Sequence, residues 1–165
     1  MTAARIVACL ILCAAAWAGE ARRVRVWVSA YCPCRKCCGK SRWHPRYGIT
    51  STGKRVVGVP FRRTGGTPQY GIAADPWAVP YGSRIIFDGY NPSRYYPADY
   101  AWPVDDTGLD MRRAWRYPWS HPRVRDGTVS PARFIHLDFR FIHHSSAVRW
   151  ARKHGGWQWV TIIYP

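Results

Sequence analysis

Two acids stand side by side in a chain that is poor in them. Asp105 and Asp106 belong to Trp102-Pro103-Val104-Asp105-Asp106-Thr107-Gly108, in a sequence with 9 Asp+Glu against 25 Lys+Arg. Neighbouring side chains on a strand point to opposite faces, so one of the pair faces any given site. Thr107-Gly108 reads as the turn that ends the strand. A carboxylate at a strand end, next to a Gly that lets the backbone bend, is well placed for acid–base work. The competing reading is an Asx-type turn, whose carboxylate only accepts backbone N–H groups. Two more acids invite the same question. Asp75 ends the small apolar strand Gly71-Ile72-Ala73-Ala74-Asp75-Pro76, where Pro76 holds it extended. Asp138 lies in Phe134–Phe141, which alternates. There Ile135, Leu137, Phe139 and Phe141 are expected inward, and His136, Asp138 and Arg140 on the other face, with Arg140 expected to hold Asp138 ionised.

The second chemical cluster is Cys32-Pro33-Cys34-Arg35-Lys36-Cys37-Cys38-Gly39. Cys34 and Cys37 form a Cys-x-x-Cys pair of the kind that binds zinc. A usual zinc site takes two separated pairs, however, and an exported chain meets an oxidising compartment. Two local disulfides are therefore expected, Cys32 or Cys34 with Cys37 or Cys38, stiffening a loop beside the site. A redox-active pair is disfavoured because no βαβ context follows. His143-His144 has no carboxylate or Cys at ligand spacing in the sequence, so no metal site is expected there.

Export is read from the first 18 residues. Arg5 gives a charged start, Ile6 to Ala16 an apolar run too short to span a bilayer, and Ala16-Trp17-Ala18 a small-residue cleavage pattern. Residues 1–18 are thus expected to be a signal peptide and 19–165 a single domain, located in the periplasm, outer membrane or cell wall. No later segment is long and apolar enough to cross a membrane. The formal net charge is +16, which favours anionic partners. Cell-wall polymers and anionic membrane surfaces fit an exported chain better than nucleic acid, and no recognition helix is visible. Ten Trp and ten Tyr suit sugar faces and also the filling of a small β-core.

The elements that must position these groups are mostly strands. Val24 to Tyr31 alternates, with Val24, Val26, Val28 and Ala30 on one face. Short strands are expected at Lys54–Val59, around Ile72, at Ser83–Phe87, from Trp102 up to the Thr107-Gly108 turn, at Phe134–Phe141 and at Trp157–Tyr164. Phe61–Tyr70 reads as a flexible connection, Asn91–Tyr100 as a surface excursion and Asp88-Gly89 as a tight turn. Leu109–Arg133 is basic, carries Pro118, Pro122 and Pro131, and is expected to be an inserted loop with one helical turn near Met111–Trp115. Ser145–His154 is the one helix expected, capped by Ser145, with an apolar stripe of Ala147, Trp150, Ala151 and His154, and stopped by Gly155.

The order of these pieces resembles the 3D domain, named for three aspartates. The matching stretches are Ser29-Ala30-Tyr31-Cys32-Pro33-Cys34 with Cys37-Cys38-Gly39-Lys40, Gly48-Ile49-Thr50-Ser51-Thr52-Gly53, Gly71–Pro76, Val79–Ser83, Val104–Gly108 and His136–Phe141. The resemblance covers nearly all of residues 19–165. It implies a mainly β fold, a six-stranded double-psi β-barrel (RlpA-like) with one C-terminal helix, as in MltA-type lytic transglycosylases and stationary-phase muralytic proteins. It also implies that Asp75, Asp106 and Asp138 are the three aspartates of the catalytic site, with Asp106 the catalytic acid, and that Tyr31 and Thr50 contact substrate. Two departures stand out. Leu109 follows Asp-Thr-Gly where the family has a second Gly, and residues 109–133 separate aspartates that the family keeps close.

The expected activity is that of a lytic transglycosylase. It would cleave the bond between N-acetylmuramic acid and N-acetylglucosamine in peptidoglycan glycan strands, as a monomer, with no cofactor and no metal. Asp106 would give a proton to the glycosidic oxygen and then take one from the muramyl C6 hydroxyl, closing a 1,6-anhydro ring. A non-catalytic wall-binding or wall-loosening barrel of the expansin or barwin kind is the alternative. A hydrolase giving reducing ends is a further one.

Overall fold

A computed structural model describes residues 19–56, 70–89, 97, 99–130 and 132–165. The signal-peptide stretch, the end of the strand expected at 54–59 and most of the two connections at 61–70 and 91–100 lie outside the described residues.

The strands are β1 (Ala21–Tyr31), β2 (Ile72–Ala73), β3 (Arg84–Phe87), β4 (Trp102–Asp106), β5 (His136–Arg140) and β6 (Gly156–Ile163). They close into a six-stranded barrel in the order β1-β5-β2-β4-β3-β6. Two pairings are parallel, β1 with β5 and β2 with β4. The others are antiparallel. Near residue 54, the described residues hold only an isolated bridge, Ile49 with Arg55.

The alternation on β1 explains why it anchors the barrel. Val26 and Val28 are fully buried, while Arg22, Arg23 and Arg25 stay at the surface. Ile72, Ile85, Phe87, Trp102, Val104, Leu137, Phe139, Val160 and Ile162 fill the same interior. Aromatic rings lock it. Phe139 meets Trp102 edge-on at 4.8 Å and stacks on Trp150 at 5.6 Å.

Trp150 belongs to α4 (His144–His154), which closes one side of the barrel through Ala147 and Trp150. Its N-cap is His143 rather than Ser145, and no side chain caps it. Three further helices form among the described residues: α1 (Arg35–Cys38), α2 (Leu109–Arg116) and α3 (Pro122–Arg125), with a 3-10 turn at Pro118–Ser120. The region expected to be an inserted loop is thus mostly helical. Pro118 and Pro122 start new turns at helix N-termini, where proline's missing N–H costs nothing. Those interruptions hid the helical period from the sequence. The segment is also packed, since Ala114, Val129 and Phe134 form a second small core backed by Trp27 of β1.

Candidate functional site

Asp105 and Asp106 part as strand alternation requires. Asp105 turns to Arg140, which grips it with two hydrogen bonds of 2.8 and 3.0 Å, and Lys54 Nζ adds a third at 3.1 Å. Arg140 is 1 % exposed, so this pair is a buried, forked ion pair. Gly71 makes room for it, because a Cβ there would run into the Arg140 guanidinium and the Asp105 carboxylate. Arg140 therefore serves Asp105, and its expected role of holding Asp138 ionised does not hold.

Asp106 turns into a cavity of about 520 Å³, shared with Tyr31, Thr50, Cys38 and Asp138. Its Oδ2 accepts from the Tyr31 hydroxyl at 2.7 Å. Its Oδ1 accepts from the N–H groups of Ser51 and Thr107, both at 2.9 Å. Burial raises the Tyr31 hydroxyl well above its usual range, so the phenol keeps its proton and donates. The loop supplying Ser51 is pinned to β4 by Thr52, whose hydroxyl donates to the Asp105 carbonyl. Thr50, 1 % exposed, accepts from the Lys54 N–H and pairs with the Thr52 hydroxyl. Both readings of the acid pair thus meet in Asp106, which accepts the turn's N–H and still faces open space.

Asp138 reaches the same cavity from β5. Ala73 of β2 pairs with Asp106 on one side and with Asp138 on the other. Two strand spacings put the acids' backbones roughly 10 Å apart. Burial pushes the Asp138 carboxyl up to about 7, with the charges of Asp110 and Asp106 adding to the rise and the Ser29 hydrogen bond opposing it.

Behind Asp138 runs a polar chain that sequence reasoning missed. The Arg123 N–H donates to His121 Nδ1 at 3.2 Å. With that nitrogen accepting, the neutral ring carries its proton on Nε2, 3.1 Å from His136 Nδ1. His136 Nε2 in turn lies 2.7 Å from the Ser29 hydroxyl, which donates to Asp138 Oδ1 at 2.8 Å. Burial keeps both rings neutral, pushing His136 down to about 3 and lowering His121. The sequence held one signal of this chain, the shared face of His136 and Asp138. His121 lay in the segment read as a loop.

Asp75 does not line the cavity. Its side chain is 1 % exposed, and both carboxylate oxygens are taken at 2.8 Å by Arg116 of α2. Oδ1 also accepts from the Trp77 N–H. The fold therefore brings Asp106 and Asp138 together with Tyr31 and Thr50, and uses Asp75 to dock α2.

The cysteines correct a further expectation. Cys32, Cys34, Cys37 and Cys38 are all free thiols. The Cys32 and Cys37 sulfurs are 3.7 Å apart, far beyond the bonded separation of about 2.05 Å. Cys38 lines the cavity, and its Sγ donates to the Cys32 carbonyl. Burial and the negative groups around it push that thiol up to about 12, which leaves it protonated and a poor nucleophile.

The sequence matches no family model and no curated protein.

Proposed function

We propose that the cavity cleaves glycosidic bonds in the glycan strands of peptidoglycan, as a lytic transglycosylase. What supports the reading is the placing of two carboxyl groups in unlike surroundings on one cavity. Asp138 retains its proton to about pH 7, while Asp106 sits among three donors that favour a charged acceptor. Sequence reasoning gave both proton steps to Asp106; we divide them between the two acids.

Asp138 gives its proton to the glycosidic oxygen as the C1–O bond breaks. The muramyl C6 oxygen bonds to C1 and closes the 1,6-anhydro ring, and its proton passes to the Asp106 carboxylate. Exchange with cavity water then returns the proton to Asp138. Thr107 lines the cavity beside Asp106, and its buried hydroxyl has no hydrogen-bond partner among the described residues. A net charge of +16 draws the protein to anionic wall polymers. The two parallel pairings in the closed barrel favour the double-psi topology that the 3D-domain resemblance implies.

The test is digestion of purified sacculi by the wild-type protein, Asp106→Asn and Asp138→Asn, with products read by mass spectrometry. Release of 1,6-anhydro-muropeptides by the wild type, falling at least ~100-fold in each variant, is expected. Equal release by all three rejects the assignment. Wild-type activity should also fall as pH rises through about 7, when Asp138 loses its proton.

The exposed tryptophans favour a second reading, a wall-binding barrel without catalysis. Trp43, Trp77, Trp157 and Trp159 stand at the surface, each beneath an arginine. Tight sacculus binding with no soluble product supports that reading.

A further inference from the structure

The three thiols nearest the end of β1 share their space with a side chain from the other end of the sequence. His144, the first residue of α4, places Nδ1 3.8 Å from Cys32 Sγ, 3.6 Å from Cys34 Sγ and 3.4 Å from Cys37 Sγ. Cys32 and Cys37 sulfurs are 3.7 Å apart, and all four ligand atoms lie within 4.8 Å of one another. A tetrahedral zinc ion with Zn–S near about 2.3 Å and Zn–N near about 2.05 Å requires S···S edges of about 3.75 Å and S···N edges of about 3.6 Å. The four edges of 3.4–3.8 Å match that polyhedron, and the Cys32–Cys37 separation matches no disulfide.

We propose that Cys32, Cys34, Cys37 and His144 form a closed, four-ligand structural zinc site. The chemistry of the donors selects the metal, since three thiolates and one imidazole in a tetrahedron suit zinc. Three thiolates and a divalent ion sum to one negative charge. Arg35 and Lys36 flank the loop, and Arg149, Arg152 and Lys153 line a surface hollow with His144. The fourth cysteine is accounted for, because Cys38 turns away to the Cys32 carbonyl. The spacing rule used on the sequence failed because the fourth ligand lies over a hundred residues from the other three. The site clamps the end of β1 to the start of α4. Pro33, Cys37 and Cys38 line the cavity that holds Asp106, so the zinc fixes one cavity wall. It has no open position for substrate and takes no part in the proton steps.

The zinc site is independent of whether the protein cleaves glycans. The full chain is purified under reducing conditions from zinc-supplemented medium and its metal measured by plasma mass spectrometry. About one zinc per chain is expected. His144→Ala and Cys34→Ser should lower the retained zinc at least ~10-fold, while Cys38→Ser should retain it. Replacement by cobalt should give the sulfur-to-metal charge transfer and intense visible bands of a tetrahedral, thiolate-rich site. That spectrum is read on the wild type and needs no variant to fold. Alkylation of denatured, chelator-treated protein should label all four cysteines of residues 32–38. Disulfides within that segment, zinc below a tenth of an equivalent, or a Cys38→Ser loss equal to that of Cys34→Ser would overturn the assignment.

Discussion

Replacing Asp138 by Asn tests the buried polar chain and its energetic cost together. Asn keeps an oxygen that accepts from the Ser29 hydroxyl, so the chain from Arg123 through His121 and His136 stays closed. What changes is the charge. In the wild type the carboxyl titrates at about 7 when folded and at about 3.9 when unfolded. Over that window the folded state binds the extra proton, so wild-type stability falls as pH rises from about 4 to about 7. The interval is about three pH units, or ~4 kcal/mol at about 1.36 kcal/mol each. Cavity water screens part of it, leaving an expected difference of ~2–4 kcal/mol.

His136 acts in the opposite sense. Its folded value of about 3 lies below the unfolded value of about 6.5. It therefore removes stability as pH falls from about 6.5 toward 3, and it does so in both proteins. The difference between variant and wild type cancels that contribution. Chemical denaturation from about pH 4 to about pH 8 measures the difference directly. The Asp138→Asn variant should gain on the wild type steadily up to about pH 7 and hold its advantage above it. A pH-independent difference would refute the claim that Asp138 is folded with its proton on.

Two further substitutions probe the acids that do not face the cavity. Asp105→Asn removes the forked ion pair of the buried Arg140 guanidinium and leaves it the more distant Asp106, at 3.9 Å; it should cost about 3 kcal/mol of unfolding free energy, read by thermal or chemical denaturation. Asp75→Asn keeps an acceptor for the Trp77 N–H but breaks the ion pair to Arg116. It should cost ~1–3 kcal/mol, with sacculus digestion unchanged well below the lowered melting temperature. A loss of turnover in the fully folded Asp75→Asn variant would return Asp75 to the reacting groups.

The sequence by itself determined the barrel's raw material. Period-two alternation at Val24–Tyr31 and Phe134–Phe141, and the apolar run before Asp105, marked strands because burial on one face leaves that trace in any chain. It also separated Asp105 from Asp106, since adjacent strand residues must diverge. The helix after His143 was legible from its stripe of Ala147 and Trp150.

Tertiary structure decided which charges meet. Arg140 pairs with Asp105 across the barrel, at a separation of 35 residues, rather than with Asp138 two positions away on its own strand. Residues 109–125 fold into short helices, held where Ala114 and Val129 find a partner in Phe134, a contact no local period encodes. The same holds for His144 and the three thiols, which closure of the sheet and the docking of α4 bring together. Local pattern records what each residue must hide from water. Partners distant in sequence are fixed only when the strands close, because hydrogen bonds and ion pairs depend on positions in space that spacing along the chain does not contain.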